Sequence, residues 1–325
     1  MGKSLFIFNS KGAPKACIIA ILMVMITLVG AAFYLMAADL LPAPMLTGQM
    51  TFDEKLRYLR ENQIRHIEVA SIGSSQGLNN LSSDILRNSR IFGENYFNLS
   101  VRGVNASDIS NYWNALSKIY HPKVLIMCMS PMEFRWGARI GFDESDVVDY
   151  TNGKNAFPYY LKYRGIYFLK RIVSVAKYRK RDNSIHSLNF DSAGGVHIDR
   201  SQKRFEGEKW DRRFTSIYST KGYEYFDKML TRLEKAGIKV IYVVSPMRQY
   251  LLEGEEAQGK IEKHWARVKS VLEKHNMVFL NLHEKLDLED RYFADAIHLY
   301  EDGADLFTKK LVEELERREL ITFFR

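Results

Sequence analysis

Apolar positions beyond residue 65 gather into five short continuous runs: Ile67–Gly73, Tyr96–Val101, Lys123–Met129, Lys239–Val244 and Met277–Leu282. Most are apolar on both faces, which fits strands of a parallel sheet covered from both sides rather than a half-exposed sheet. Between the runs the period shifts to that of amphipathic helices, over Leu81–Asn88, Ala106–Tyr120, Gly222–Ala236, Gly259–His275 and Glu301–Arg318. Strands alternating with helices predict βαβ units and an α/β fold, a three-layer doubly wound parallel sheet. Sites in such sheets form at the carboxyl ends of the strands.

The N-terminal pattern is different. Residues Ala16 to Ala38 carry no charge, and as a helix they are long enough to cross a hydrocarbon core of about 30 Å. Lys3, Lys11 and Lys15 precede the run and Asp39 follows it, so the spacing of charge predicts a cytoplasmic N-terminus and an extracytoplasmic remainder. A cleaved signal peptide with processing near Ala37–Ala38 is the competing reading, although the run exceeds an ordinary h-region. A buried helix of a soluble protein is a third reading, opposed by the length and lack of charge. The expected organisation is a basic tail (1–15), a transmembrane helix (16–38), a connector (39–64) holding a polar helical stretch from Phe52 to Asn62, and a domain over 65–325. An insertion at 132–219 interrupts that domain.

Within the insertion, Leu161–Arg181 has eight basic residues and no acidic one, interleaved with Tyr163, Tyr167, Phe168 and Tyr178. Trp210 and Lys203–Arg213 extend the bias. Either this is a solvated helix covering the core, or it is a surface for an anionic membrane or polyanionic polymer. A net charge of +8 agrees with an anion-tolerant surface. No zinc-finger spacing, basic-region heptad or RNP-like aromatic motif is present, so nucleic acid is disfavoured as a partner. Cys17 lies in the apolar N-terminal run and Cys128 in a predicted strand, an unsuitable pair for a disulfide or for metal ligation.

Chemistry enters at the strand ends. His66 to Gly77 ends its apolar run in Gly73-Ser74-Ser75, which places a serine in a strand-to-helix turn beside free backbone N–H groups. Such a turn also serves as a plain N-cap. Near the other end, Asp295-Ala296-Ile297-His298 precedes the last helix. An Asp and a His three residues apart on a turn can share one face, where the carboxylate holds the imidazole in the tautomer of a general base. With Ser75 at the same edge, the three residues supply a Ser-His-Asp arrangement. Two further strands end in Ser-Pro-Met, at Ser130–Met132 and Ser245–Met247, followed by Glu133 and Arg248. These two, with Ser74, are second-tier site candidates. No Gly-x-Gly-x-x-Gly or Gly-x-x-x-x-Gly-Lys follows the first strand, which removes the main support for a nucleotide-binding domain.

Gly73-Ser74-Ser75 and Asp295-x-x-His298 resemble the first and last blocks of the SGNH (GDSL-like) hydrolase superfamily, whose fold is flavodoxin-like. The resemblance implies that Ser75 is the nucleophile, His298 the general base and Asp295 its orienting partner. Gly103, after the second strand, resembles the second block, and its amide with that of Ser75 would form an oxyanion hole. Ser74 departs from the usual Asp, and Ser130–Glu133 replaces the usual Gly-x-Asn-Asp block, so Asn105 is a substitute side-chain donor. The Gly-Ser-Ser variant and the N-terminal anchor look more like branches that transfer D-alanyl or acyl groups to envelope polymers. The implied activity is a membrane-anchored serine esterase or O-acyltransferase acting on a cell-envelope polysaccharide or polymer, without metal or dissociable cofactor, with a multi-spanning membrane acyltransferase as a further expected partner. A catalytically weak scaffold that binds polysaccharide or such an acyltransferase is the alternative.

Overall fold

The computed structural model describes residues 13–38, 40–135, 141–163, 168–181, 184–201, 220–318 and 320. Lys3, Lys11, Asp39, Tyr167, the side chain of Phe168, and Lys203–Arg213 with Trp210 lie outside the described residues.

All five apolar runs form strands: β1 (Val69–Gly73), β2 (Tyr96–Asn98), β3 (Val124–Cys128), β4 (Lys239–Val244) and β5 (Val278–Asn281). They pair in parallel in the order β2-β1-β3-β4-β5. This is the doubly wound order whose switch point falls between β1 and β3. The strand residues alternate between two cores. Ala70, Ile72, Leu125, Met127, Val240 and Tyr242 face one cluster, and Val69, Val124, Ile126, Ile241, Val243 and Leu280 face the other.

The helices are α1 (Ala13–Ala37), α2 (Met50–Glu61), α3 (Ser75–Asn79), α4 (Ser83–Asn88), α5 (Ala106–Leu116), α6 (Glu144–Thr151), α7 (Phe157–Lys162), α8 (Phe168–Arg179), α9 (Thr220–Lys235), α10 (Glu255–Lys274) and α11 (Glu301–Arg317). Residues of α2, α5, α9 and α10 fill the first core, and residues of α4 and α11 fill the second. A fully buried Leu or Phe such as Leu230 or Phe307 contributes roughly 1.5–3 kcal/mol.

Two regions differ from the simple pattern. Helix α1 is apolar, exposed along most of its length and long enough to cross a membrane over Lys15–Met36, with Met36 at its end packed against the first core. Residues 40–64, expected as a connector, are instead part of the folded body: Phe52, Leu56 and Leu59 belong to the first core. The polar residues of α2 are buried because each finds a partner. Asp53 meets Arg171 at 2.8 Å and Glu54 meets Arg179 at 2.5 Å. Lys55 donates to the carbonyls of Asn98 and Gly194 and sits 3.9 Å from the Phe190 ring centre. Burial drives Asp53 up to about 6, against Arg171 and Thr47, and drives Lys55 down to about 7.

Among the described residues, the basic stretch of the insertion supplies α8 and the end of α7. Arg171 and Arg179 face inward onto α2, so one face of α8 covers the folded body as the reading of a solvated helix over the core expects.

Candidate active site

Strand β1 delivers its last residue, Gly73, against the end of β3. A Cβ at this position would overlap the Cys128 carbonyl oxygen, which belongs to a paired backbone and cannot turn away. Gly73→Ala is expected to cost roughly 3 kcal/mol of stability, read as a lower midpoint in urea unfolding. An unchanged midpoint would contradict this packing. The chain then turns into α3, a helix of five residues, with Ser74 at the N-cap position and Ser75 at its first turn.

The two serines diverge. Ser74 does not cap the helix with its side chain. Its hydroxyl donates to Glu133 Oε1. Ser75 Oγ lies 2.7 Å from His298 Nε2. On the other side of the ring, His298 Nδ1 is 2.7 Å from Asp295 Oδ2. Asp295 and His298 are both buried, at 2% and 3% exposure, so this chain of hydrogen bonds runs through protein rather than water. Burial pushes the Asp295 carboxyl up, but attraction to His298 and hydrogen bonds from the His298 side chain and the Ile297 and His298 amides outweigh it. The net value lies below the ordinary carboxylate range.

The turn that carries the pair is built by its own backbone. Asp295 Oδ1 accepts from the Ile297 and His298 amides at 2.9 and 2.8 Å, and Phe293 bridges Leu299 across the loop. Asn80, one turn past Ser75, holds this loop in place. Its Nδ2 donates to the Ile297 carbonyl and to Ser245 Oγ, both at 2.8 Å, and its Oδ1 accepts from the Leu299 amide at 2.9 Å. Gln76 adds a bond to the Ile297 carbonyl at 3.3 Å. Asn80 and Gln76 were not singled out from the sequence. Nothing local marks them, because their partners lie more than 160 positions away.

Arg248 reaches the same loop from the end of β4. Its amide donates to Ala296, and its guanidinium pairs with Asp290 at 3.0 Å. The structure therefore places it as a brace behind the Asp295–His298 turn.

Gly103 lies two residues past Val101, whose amide donates to the Gly73 carbonyl at 3.1 Å, and Ser75 lies two residues past Gly73. The glycine thus follows the strand that pairs with β1 on the same edge of the sheet from which Ser75 emerges. Its φ of +74° is one that glycine adopts without strain. Asn105 Oδ1 accepts from the Asp108 amide at 2.9 Å and the Ser107 hydroxyl at 2.6 Å, which caps α5. That assigns Asn105 a structural task.

Glu133 is buried at 6% exposure at the end of β3, and Oε2 has no hydrogen-bond partner among the described residues. Burial pushes it up to about 7, although hydrogen bonds from Ser130 and Ser74 pull the other way.

His186 approaches from the insertion. It stacks on Tyr178 at 5.6 Å. Loss of hydration there, then the charges of Arg102 and Arg181, with His298 and Lys177 adding to them, hold it below its usual value.

Comparison with known proteins gives a partial match. Residues 196–310 match the family described as DltD protein, a span that includes Asp295 and His298 but not Ser75. A search of curated proteins found no match. Similar solved structures include a GDSL-like lipase from Bacteroides thetaiotaomicron, 14% identical over 81% of this chain and 98% of that one, with a TM-score of 0.38. A lipase/acylhydrolase from Enterococcus faecalis is 12% identical over 78% and 97%, with a TM-score of 0.38. An acetylxylan esterase from Geobacillus stearothermophilus is 10% identical over 76% and 93%, with a TM-score of 0.41.

Proposed function

We propose that this chain is a membrane-anchored, extracytoplasmic serine esterase or O-acyltransferase that acts on a cell-envelope polysaccharide or polymer through an acyl-serine intermediate. The observation that carries the reading is the continuous Ser75–His298–Asp295 chain, with both links at 2.7 Å. Likeness to the DltD protein family over residues 196–310 favours transfer chemistry on an envelope polymer. Helix α1, with basic residues before it, supports an anchor with its N-terminus inside.

In this reading Ser75 Oγ attacks an ester carbonyl while its proton passes to His298 Nε2. The buried Asp295 carboxylate keeps Nδ1 protonated and stabilises the imidazolium that forms. Amides of Ser75 and Gly103 donate to the developing oxyanion. His298 then returns the proton to the departing alcohol, leaving an acyl group on Ser75. Water or a glycan hydroxyl, deprotonated by the same imidazole, attacks this ester and regenerates the serine. The chemistry needs no metal or dissociable cofactor.

The test is p-nitrophenyl acetate turnover by the purified chain, with and without an added polyol acceptor. Turnover that is abolished in Ser75→Ala supports the reading, and acyl transfer to the polyol selects transferase over hydrolase. A rate that Ser75→Ala leaves unchanged would reject it in favour of a scaffold that binds polysaccharide or a membrane acyltransferase.

A further inference from the structure

We propose that the outward face of α8 rests on anionic phospholipid headgroups of the leaflet from which α1 emerges, setting the height and tilt of the Ser75 cleft above the membrane. This rests on the anchoring proposed above and adds a second point of contact to it.

Three observations carry the inference. First, α1 is joined to the body without slack. Phe33 packs against Phe157 of α7 with ring centres 5.5 Å apart, and the Tyr160 hydroxyl donates to the Leu41 carbonyl at 3.2 Å. Phe33 is one turn inside the apolar helix, so α7 is held at the level where that helix leaves the membrane.

Second, α8 is clamped to the residues that follow immediately. Arg171 bonds Asp53 and the Gly48 carbonyl at 2.8 and 2.9 Å. Arg179 pairs with Glu54, whose other oxygen accepts from the Ala43 amide at 2.8 Å. Ala43 is six residues past the end of α1, a reach of at most about 20 Å.

Third, the opposite face of α8 suits a charged lipid surface. Val173 and Lys177, one turn apart, are exposed, Val173 at 69%, and the exposed Lys180 and Arg181, just past the end of α8, continue the basic surface. The stretch 168–181 has no acidic residue. Leu40, 58% exposed, adds apolar surface near the exit of α1. Because Tyr178 stacks on His186 and lies 5.6 Å from the Arg102 guanidinium, beside Gly103, the docked helix is coupled to the rim of the cleft.

Juxtamembrane cations each favour an anionic surface by about fivefold, so three favour the docked state on the order of 100-fold. To test this, the full chain is reconstituted in vesicles of neutral lipid or with about 30% phosphatidylglycerol, in a Cys17→Ser background that leaves only the buried Cys128. Nitroxide labels at Val173→Cys and, separately, Leu28→Cys in α1 report access to a water-soluble relaxant. Burial of both labels, with that at Val173 lost in neutral lipid, in about 0.5 M salt and in the Lys177→Gln, Lys180→Gln, Arg181→Gln variant, is the expected result. A shielded Leu28 label with a Val173 label equally wet in both lipids would overturn the α8 contact alone. A wet Leu28 label would overturn the anchor and this inference with it. Shielding of Val173 regardless of lipid charge would overturn the assignment to anionic headgroups.

Discussion

Asp295→Asn is expected to lower ester turnover by about 10,000-fold, about 5.5 kcal/mol of transition-state stabilisation, while the chain stays folded. The asparagine keeps the Oδ1 acceptor that the Ile297 and His298 amides use, so the turn survives. What changes is the group 2.7 Å from His298 Nδ1. An amide NH₂ there donates to Nδ1 and fixes the proton on Nε2, which then cannot accept from Ser75. Activity against p-nitrophenyl acetate and circular dichroism on the same samples check this. Loss of fold together with activity would show that Asp295 acts on structure alone. In the wild type, the lowered Asp295 value gives stability that is present above the ordinary carboxyl value of 3.8 and is lost as pH falls through the folded one.

The second large effect belongs to Glu133 and has the opposite sign. This carboxyl titrates near 7 in the folded chain against 4.5 ordinarily. Each pH unit of difference is about 1.4 kcal/mol, so its ionisation costs the fold about 3 kcal/mol at pH 8. A raised value means that stability is present in full below 4.5 and is lost as pH rises through 7. Glu133→Gln keeps an oxygen for the Ser74 hydroxyl and has no charge to bury. Unfolding by urea at several pH values should therefore show wild type losing stability relative to the variant between pH 5 and 8, by about 3 kcal/mol. Parallel curves would contradict the burial argument.

Glu133 also shows how far the sequence could be read. Its position after a Ser-Pro-Met stop put it at the right sheet edge, because proline ends a ladder wherever it occurs. Its bond to Ser74 joins residues 59 apart and has no local signature. The five strands were legible for the opposite reason: a continuous apolar run is its own evidence.

Helix α2 reads from the sequence as part of a connector because Asp53, Glu54, Lys55 and Arg57 look like solvated positions. They are buried, and partners on α8 and near Gly194 satisfy three of them. Sequence spacing brought Asp295 and His298 together, since three residues on a turn suffice, but Asn80, which ties that turn to the Ser75 helix, could be found only in space.

Whether Ser75 is a nucleophile is tested most directly by a fluorophosphonate probe on the reconstituted full chain, with the labelled peptide mapped by mass spectrometry. Labelling confined to Ser75 in the wild type, absent in Ser75→Ala and strongly reduced in His298→Ala, is the predicted result. Equal labelling of wild type and both variants would contradict it.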